Sequence, residues 1–310
     1  LDRILRLGCL ALYNTHTTRA DYLKYRLAGN HKSLYKNKKR VKQVMNKEDA
    51  RNYVLTFPAW IIPLIPNHHQ TPQSLVTLPG KKDRLVYDSS HMVDKNSRPY
   101  NSIVTLDLEP EIFFAGAWTK SLTQLYNLRI SYPHTEIYPF DDDIVAAHRQ
   151  PKYNPMILSG KAYVIGKHLF EPTGGTFGDT SSCPSFEPMA RARMAVASEL
   201  STGRNEIPQY PDYLDALTFA PPPPTGMTFT EARPDTLNQG VLNADGTPLP
   251  TQFNMHVDDN LSAAAGEESL RWAMRCSIHA AYLVFGASDT TWRPNPIDLD
   301  KFVKSTISHT

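Results

Sequence analysis

The chain has 310 residues, of which 41% are hydrophobic and 21% are charged, a composition that is ordinary for a globular protein and excludes a fibrous or disordered one. The formal net charge of +2 is too small to indicate a nucleic-acid-binding protein by itself. No stretch approaches the roughly 20 apolar residues of a membrane span, so we expect no membrane partner.

The first 56 residues are predicted to form a basic helical region. The stretch from Lys32 to Lys42 carries six cations and no acid, which is typical either of a solvated helix face or of a patch that binds phosphates. The chain begins with Leu1 rather than Met, so we expect a fragment of a longer product. Its three cysteines lack a CxxC spacing, which argues against a zinc knuckle or a disulfide framework and favours an intracellular location, in the nucleus or cytoplasm.

A β-hairpin is predicted after a proline-rich stretch that begins near residue 57. Two short β-prone runs, Leu75 to Leu78 and Arg84 to Tyr87, flank a turn that contains Gly80. Lys81 and Lys82 lie at the tip of this turn, so the hairpin presents cations to its surroundings.

The middle of the chain predicts a helix followed by an acidic strand. Apolar residues over 111–132 are spaced for a buried helix, and the next apolar run, IYPF, ends in Asp141, Asp142 and Asp143. Strand alternation places Asp141 and Asp143 on the same face. Carboxylates are costly to bury, so an apolar strand that ends in them is typical of a binding site.

A second acidic pair follows an irregular segment. Prolines recur through about 201–252, which predicts a long loop or insertion, and the apolar run after it ends in Asp258 and Asp259. A helix is then predicted over Glu267 to Phe285, with Gly286 as its stop. If the two acidic strand ends are neighbours in a sheet, their oxygens can hold hard cations, the arrangement of a two-metal phosphoryl-transfer site.

Four segments follow one another in the chain: a basic hairpin ending in RLVYD, the stretch DIVAAHRQ from Asp143, the loop and helix GGTFGDTSSCPSFEPMARA, and HVDD from His256. Their order resembles that of the reverse transcriptases, and within them the divergent eukaryotic retroelement type, over roughly residues 57 to 300. The resemblance implies an RNA-directed DNA polymerase of a retrotransposon-like element. Such an enzyme adds deoxynucleotides from their triphosphates to a primer on an RNA or DNA template, with Mg²⁺ or Mn²⁺ as cofactor.

The resemblance also implies the metal ligands. The family pattern of Asp, then Ala four residues later and Gln seven later, is met by Asp143, Ala147 and Gln150. The catalytic, metal-binding set is therefore Asp143, Asp258 and Asp259, with Asp259 in a supporting role. Asp141 is a possible helper, and Asp142 is assigned to support.

Nucleotide binding is assigned by the same resemblance to three places in the chain. The cations of the hairpin would grip the triphosphate, a histidine occupies the sugar-discriminating position, and the glycine-containing loop would approach template or nucleotide. These predicted substrate-binding residues are Lys81, Lys82, Arg84, His148, Gln150, Phe177 and Gly178.

Departures from the family pattern leave alternatives open. His148 replaces an aromatic residue, His256 replaces the Tyr before Val-Asp-Asp, Pro139 lies in a strand expected to be central, and Lys301 is the only nearby candidate for the Lys of the next motif. One alternative is a catalytically degenerate, domesticated palm that binds nucleic acid. Another is an RNA-dependent RNA polymerase, although the GKKDRLVYD hairpin argues against it.

The predicted fold is of the α+β class, with the fingers and palm of a right-hand polymerase, an antiparallel palm sheet backed by helices, and no complete thumb. We expect an N-terminal helical basic region at 1–56 and a fingers-like region at 57–132. A palm at 133–266 would contain the proline-rich insertion, and a palm helix and C-terminal tail would occupy 267–310.

Overall fold

The computed structural model describes residues 6–9, 12–15, 17–107, 112, 116–203, 206–208, 249–286 and 296–297. Most of the predicted proline-rich insertion, and Lys301, lie outside the described residues.

The described residues form helices and strands that are interspersed along the chain. The strands are β1 (Leu12–Tyr13), β2 (Val54–Pro58), β3 (Gln73–Val76), β4 (Arg84–Tyr87), β5 (Val104–Thr105), β6 (Ile137–Asp143), β7 (Tyr163–Ile165), β8 (His168–Pro172), β9 (Met255–His256) and β10 (Asp259–Ala265). The α-helices are α1 (Arg19–Ala28), α2 (Lys32–Lys36), α3 (Lys38–Ala50), α4 (Tyr100–Ile103), α5 (Ala117–Ser131), α6 (Ser182–Ser201) and α7 (Glu267–Phe285). Among the described residues, no helix has the length and apolar character needed to cross a lipid bilayer.

The strands form small antiparallel sheets. In the described ranges, two sheets have three strands each, in the orders β2-β8-β7 and β6-β10-β9, and two are pairs, β1-β5 and β3-β4. Every pairing within these sheets is antiparallel. The prediction of a mixed helix-and-sheet fold with antiparallel sheets is confirmed, whereas the right-hand arrangement stays a prediction.

The chain divides into two compact units. Unit 1 comprises Leu1–Glu111, Ala146–Pro188 and Thr291–Arg293, and unit 2 comprises Ile112–Val145, Met189–Thr290 and Pro294–Thr310. The four-segment division expected from the sequence stays a prediction.

Unit 1 is built around the predicted β3-β4 hairpin and the β2-β8-β7 sheet. The hairpin register pairs Val76 with Arg84 and Gln73 with Tyr87, so the prediction of a hairpin there is confirmed. Its inward residues Leu75 and Leu85 join a core to which α2 and α3 contribute apolar side chains. The basic run is thereby divided between two helices that bury Leu34, Val41 and Met45 and leave most of their cations exposed.

Unit 2 is built on the β6-β10-β9 sheet, with α5 and α7 packed against β10. The α7 helix has the predicted bounds, and Gly286 ends it with a φ of 87°. Pro139 was expected in a central strand, but within the described part of the chain β6 lies at the edge of its three-stranded sheet. An edge position tolerates a residue that lacks a backbone N–H.

The α5 helix differs from its prediction as a buried helix. Its sheet-facing side carries polar residues: Ser121 Oγ donates to the carbonyl of Leu261 at 3.0 Å, and Gln124 Nε2 donates to the carbonyl of Ala263 at 2.9 Å. The apolar side chains on the other side are between 59% and 66% exposed; they are Trp118, Leu122, Tyr126 and Ile130. The prediction of burial was wrong for that stripe, whereas Leu125 and Leu128 are partly buried against the sheet beside the two polar side chains.

Candidate metal centre and nucleotide-binding loop

The second acidic pair lies in a tight hairpin between β9 and β10. His256 pairs with Asp259, so Val257 and Asp258 are the two turn residues. Val257 has a φ of +61°, a conformation that hairpin turns normally give to glycine and that is strained for a β-branched side chain. Such strain is characteristic of functional sites, where it persists because the surrounding structure imposes it.

The β6-β10 register brings the two acidic clusters together, as the sequence predicted. Asp143 pairs directly with Asp259 across the two strands, and Asp258 precedes Asp259 in the turn. One carboxylate oxygen from each of Asp143, Asp258 and Asp259 lies within 4.8 Å of the others. Like charges at such separations repel, so this arrangement costs stability unless a cation is held there.

The pKa of Asp258 reflects both its burial and that repulsion. Burial, followed by the negative charges of Asp143 and Asp259, raises the pKa of the Asp258 carboxyl from 3.8 to about 6. A carboxyl whose pKa is higher in the folded than in the unfolded chain favours folding at low pH, and this contribution is lost as the pH rises through about 6.

We therefore expect Asp258→Asn to stabilise the metal-free chain at pH 7.5, because the substitution removes a buried negative charge from the cluster. Thermal unfolding in EDTA should show a melting temperature a few degrees above that of the wild type at pH 7.5. The gain should disappear near pH 4, where the wild-type carboxyl is itself protonated. Equal melting temperatures at pH 7.5 would show that the three carboxylates do not repel one another as their spacing implies.

Asp142 has a separate role, because alternation turns it to the opposite face of β6. Its carboxylate is buried and forms an ion pair with Nη2 of Arg193 on α6. Ser277 Oγ of α7 donates to it at 2.6 Å, and Asn260 Nδ2 of β10 donates at 3.1 Å. This network ties β6 to two helices. Asp141 is exposed at the strand surface.

The residues of the triad fit a hard divalent cation. All donors are carboxylate oxygens, the type that Mg²⁺ and Mn²⁺ prefer, and the three side chains together carry a formal charge of −3 when ionised. Asp143 is only 8% exposed, whereas Asp258 and Asp259 are half-buried, so the cluster is open to solvent on one side. A metal held there would keep positions for non-protein ligands.

Four of the predicted substrate-binding residues come together in unit 1. The Arg84 guanidinium lies over the Phe177 ring, 5.6 Å from its centroid, and the His148 ring is 6.1 Å from that of Phe177. Gly178 follows Phe177 directly. Burial lowers the pKa of His148, so its imidazole is neutral at physiological pH.

The remaining predicted residues lie elsewhere on unit 1. Lys81 lines an open groove with Arg40 and Gln43 of α3, and Phe177 and Gly178 are not among the groove's lining residues. Lys82 is exposed at the hairpin tip, and Gln150 is half-buried after a short 3₁₀ turn.

The loop at Gly178 is held against the end of the hairpin. The backbone N–H of Tyr87 donates to the Phe177 carbonyl at 3.1 Å, and Asn101 Nδ2 donates to the Gly178 carbonyl at 2.8 Å. Gly178 has a φ of +97°, and a Cβ at this position would overlap the carbonyl oxygen of Tyr87. The close approach therefore requires glycine.

We expect Gly178→Ala to destabilise the chain by at least about 2 kcal/mol, because it adds a clash with rigid backbone to the strain of a positive φ. Gly80→Ala is the matched control: its φ is +72°, but a Cβ there meets nothing within 4 Å, so about 1 kcal/mol is expected from backbone strain alone. Urea denaturation measures both. Equal losses would contradict the inferred contact.

Sequence reasoning did not identify two features of the site. The partners of Asp142, which are Arg193, Asn260 and Ser277, come from distant segments, and the only sequence indication was that the middle Asp of three must face away from its neighbours. The left-handed backbone of Val257 had no indication at all, because valine is a residue that normally excludes it.

Comparison with known proteins returned no matching family model and no matching curated protein. Similar solved structures are protease-reverse transcriptases of foamy virus. The native prototype foamy virus enzyme has a TM-score of 0.49 and 12% identity, covering 97% of this chain and 26% of its own. Its selenomethionine-labelled CSH mutant has a TM-score of 0.48 and 13% identity, covering 90% and 25%. A foamy viral protein in complex with double-stranded DNA has a TM-score of 0.46 and 12% identity, covering 97% and 35%. The chain therefore spans about a quarter to a third of the length of these proteins.

Proposed function

We propose that this chain is the nucleotidyltransferase part of a reverse transcriptase-like polymerase. It would add deoxynucleotides to the 3′-hydroxyl of a primer on an RNA or DNA template, with Mg²⁺ or Mn²⁺ as the cofactor. Asp143 and Asp258 would be the principal metal ligands, with Asp259 completing the set.

The observation that carries this proposal is the convergence of the three carboxylates. Two acidic segments that are far apart in the sequence meet through the β6-β10 register, and their ligand oxygens lie within 4.8 Å of one another. A strained turn presents Asp258 beside them. Carboxylates that serve only as surface charge are not expected to cluster so closely that the pKa of one of them, Asp258, is raised.

The chain's own residues account for orienting the cluster. The cross-strand pair fixes Asp143 opposite Asp259, and the buried ion pair of Asp142 with Arg193 anchors the strand immediately before Asp143. Metal ions bound to this cluster would supply a lowered pKa at the primer hydroxyl and a counter-charge for the triphosphate.

Nucleotide contacts are proposed for unit 1 from the sequence resemblance. Arg84 is exposed and offers a guanidinium fork that suits phosphate oxygens, and the neutral His148 ring beside Phe177 offers a flat apolar surface to a sugar or base. Lys81, Lys82, Gln150 and Gly178 complete the proposed set.

Primer extension by a protein that contains this chain tests the proposal. A labelled primer is annealed to an RNA or a DNA template and incubated with deoxynucleotides or ribonucleotides, with Mg²⁺, Mn²⁺ or EDTA. We expect extension with deoxynucleotides that requires the metal. A preference for ribonucleotides would indicate an RNA-dependent RNA polymerase instead. Salt-dependent nucleic-acid binding with no extension in either metal would indicate a palm that has lost catalysis.

A further inference from the structure

A second cluster of potential metal ligands lies in unit 1 and uses residues that the proposed polymerase chemistry leaves aside. His31 precedes α2, Asp88 follows β4, and His91 is three residues further on. The backbone holds each in place: the N–H of His31 donates to the Gln73 carbonyl at 3.0 Å, that of Asp88 to the Pro72 carbonyl at 2.9 Å, and that of His91 to the Asp88 carbonyl at 3.1 Å. Two separate segments of the chain therefore converge here.

The side chains direct their ligand atoms at one point. His31 Nε2 is 2.9 Å from Oδ2 of Asp88, and His91 Nδ1 is 3.7 Å from the same oxygen. The three ligand atoms all lie within 4.8 Å of one another. Ligands of a tetrahedral zinc ion with bonds of about 2.0–2.1 Å are roughly 3.3 Å apart, so small side-chain rotations bring these three to that spacing.

The surroundings of the three side chains add three further observations. The histidine rings stand nearly perpendicular, with centroids 5.2 Å apart and an interplanar angle of 79°. The three side chains are each about one third exposed, between 33% and 39%, so solvent or a ligand can complete the coordination. Tyr25 on α1 also donates its hydroxyl to the His91 carbonyl at 2.7 Å, which fixes the backbone beside that ring.

The donor set indicates which metal fits. Two imidazole nitrogens and one carboxylate favour Zn²⁺ and related transition metals, whereas an all-oxygen set such as Asp143, Asp258 and Asp259 favours Mg²⁺ or Mn²⁺. His31 Nε2 is within hydrogen-bond distance of Asp88 Oδ2, whereas His91 Nδ1 faces the same oxygen from 3.7 Å, beyond that distance.

We propose that His31, Asp88 and His91 bind a transition-metal ion of the Zn²⁺ class, with open positions for solvent or a further ligand. Such an ion would link the start of α2 to the end of β4 and so fix the base of the basic hairpin. This site is independent of the polymerase proposal, since none of its three residues belongs to the Asp143 cluster.

Zinc titration of the metal-stripped chain tests the proposal. Calorimetry is carried out in excess Mg²⁺, which occupies all-oxygen sites and competes poorly for imidazole. We expect a single zinc equivalent in the wild type and at least tenfold weaker binding in H31A/H91A. The exposed histidines His134 and His168 provide the matched control, and H134A/H168A should bind as the wild type does.

Two further measurements separate binding from folding. Co²⁺ should give the wild type a visible absorption band that His91→Gln and Asp88→Asn each weaken, while far-UV circular dichroism shows that these variants are folded. Zinc should raise the melting temperature of the wild type and not that of His91→Gln. Unchanged zinc affinity and cobalt absorption in folded His91→Gln, or no stoichiometric zinc binding by the wild type, would overturn the site.

Discussion

Asp143→Asn and Asp258→Asn should each abolish metal-dependent primer extension, with losses on the order of a thousandfold or more. Asparagine keeps the shape of the side chain but removes the charge, so the geometry of β6 and of the β9-β10 turn should survive. Each substitution removes one of three carboxylates whose ligand oxygens lie within 4.8 Å of one another. Extension measured with Mg²⁺ and with Mn²⁺ gives the size of the loss.

Asp141→Asn is the matched control for these variants. Asp141 lies on the same strand two residues before Asp143, but it is exposed and outside the carboxylate triad, so its loss should change the rate only a fewfold. Mn²⁺ binding followed by electron paramagnetic resonance provides a second measurement on the chain itself. It should weaken in Asp143→Asn and Asp258→Asn and persist in Asp141→Asn. Extension that survives in both of the first two variants would exclude the polymerase assignment.

Arg193→Met should destabilise the chain by about 3–5 kcal/mol, because it leaves the buried carboxylate of Asp142 without its counter-charge. Arg193 is 2% exposed, and the Asp142 carboxylate beside it is fully buried. Ser277 and Asn260 would remain as hydrogen-bond donors, but neither carries charge. Urea denaturation measures the loss as a lower midpoint.

Two companion variants identify the cause of that loss. Arg191→Met, on the exposed side of the same helix, should change stability by no more than about 0.5 kcal/mol. Asp142→Leu combined with Arg193→Met should recover much of the stability, since replacing a whole buried ion pair by apolar groups costs far less than breaking it. If the two arginine variants unfold at the same urea concentration, Arg193 does not stabilise the fold through Asp142.

Local sequence patterns predicted the elements whose causes are local. The hairpin at Arg84 to Tyr87 and the α7 helix from Glu267 to Phe285 follow from alternation, helical periodicity and glycine at the ends. The convergence of Asp143 with Asp258 was also expected, because each cluster follows an apolar run of the sequence and such runs can be neighbouring strands of a sheet.

Features that depend on distant partners were not predictable in this way. Periodicity showed that α5 has apolar residues, but only the fold shows that Ser121 and Gln124 hydrogen-bond the β10 backbone and leave Trp118 exposed. The three-residue group of His31, Asp88 and His91 has the same origin, since it joins segments that are far apart along the chain and no spacing rule connects them.

Among the residues that the structure describes, β6 lies at the edge of its sheet, and this position bears on how the protein avoids aggregation. An exposed strand edge is a template on which another chain can add a strand, and natural proteins block such edges with proline and with charge. Pro139 removes one N–H that an added strand would need, and the exposed carboxylate of Asp141 places a charge two residues further along. Up to Asp143 the strand thus carries two features that hinder intermolecular β-pairing, while its inner edge is paired with β10. Directly after it, Ile144 forms an antiparallel bridge with Ile297.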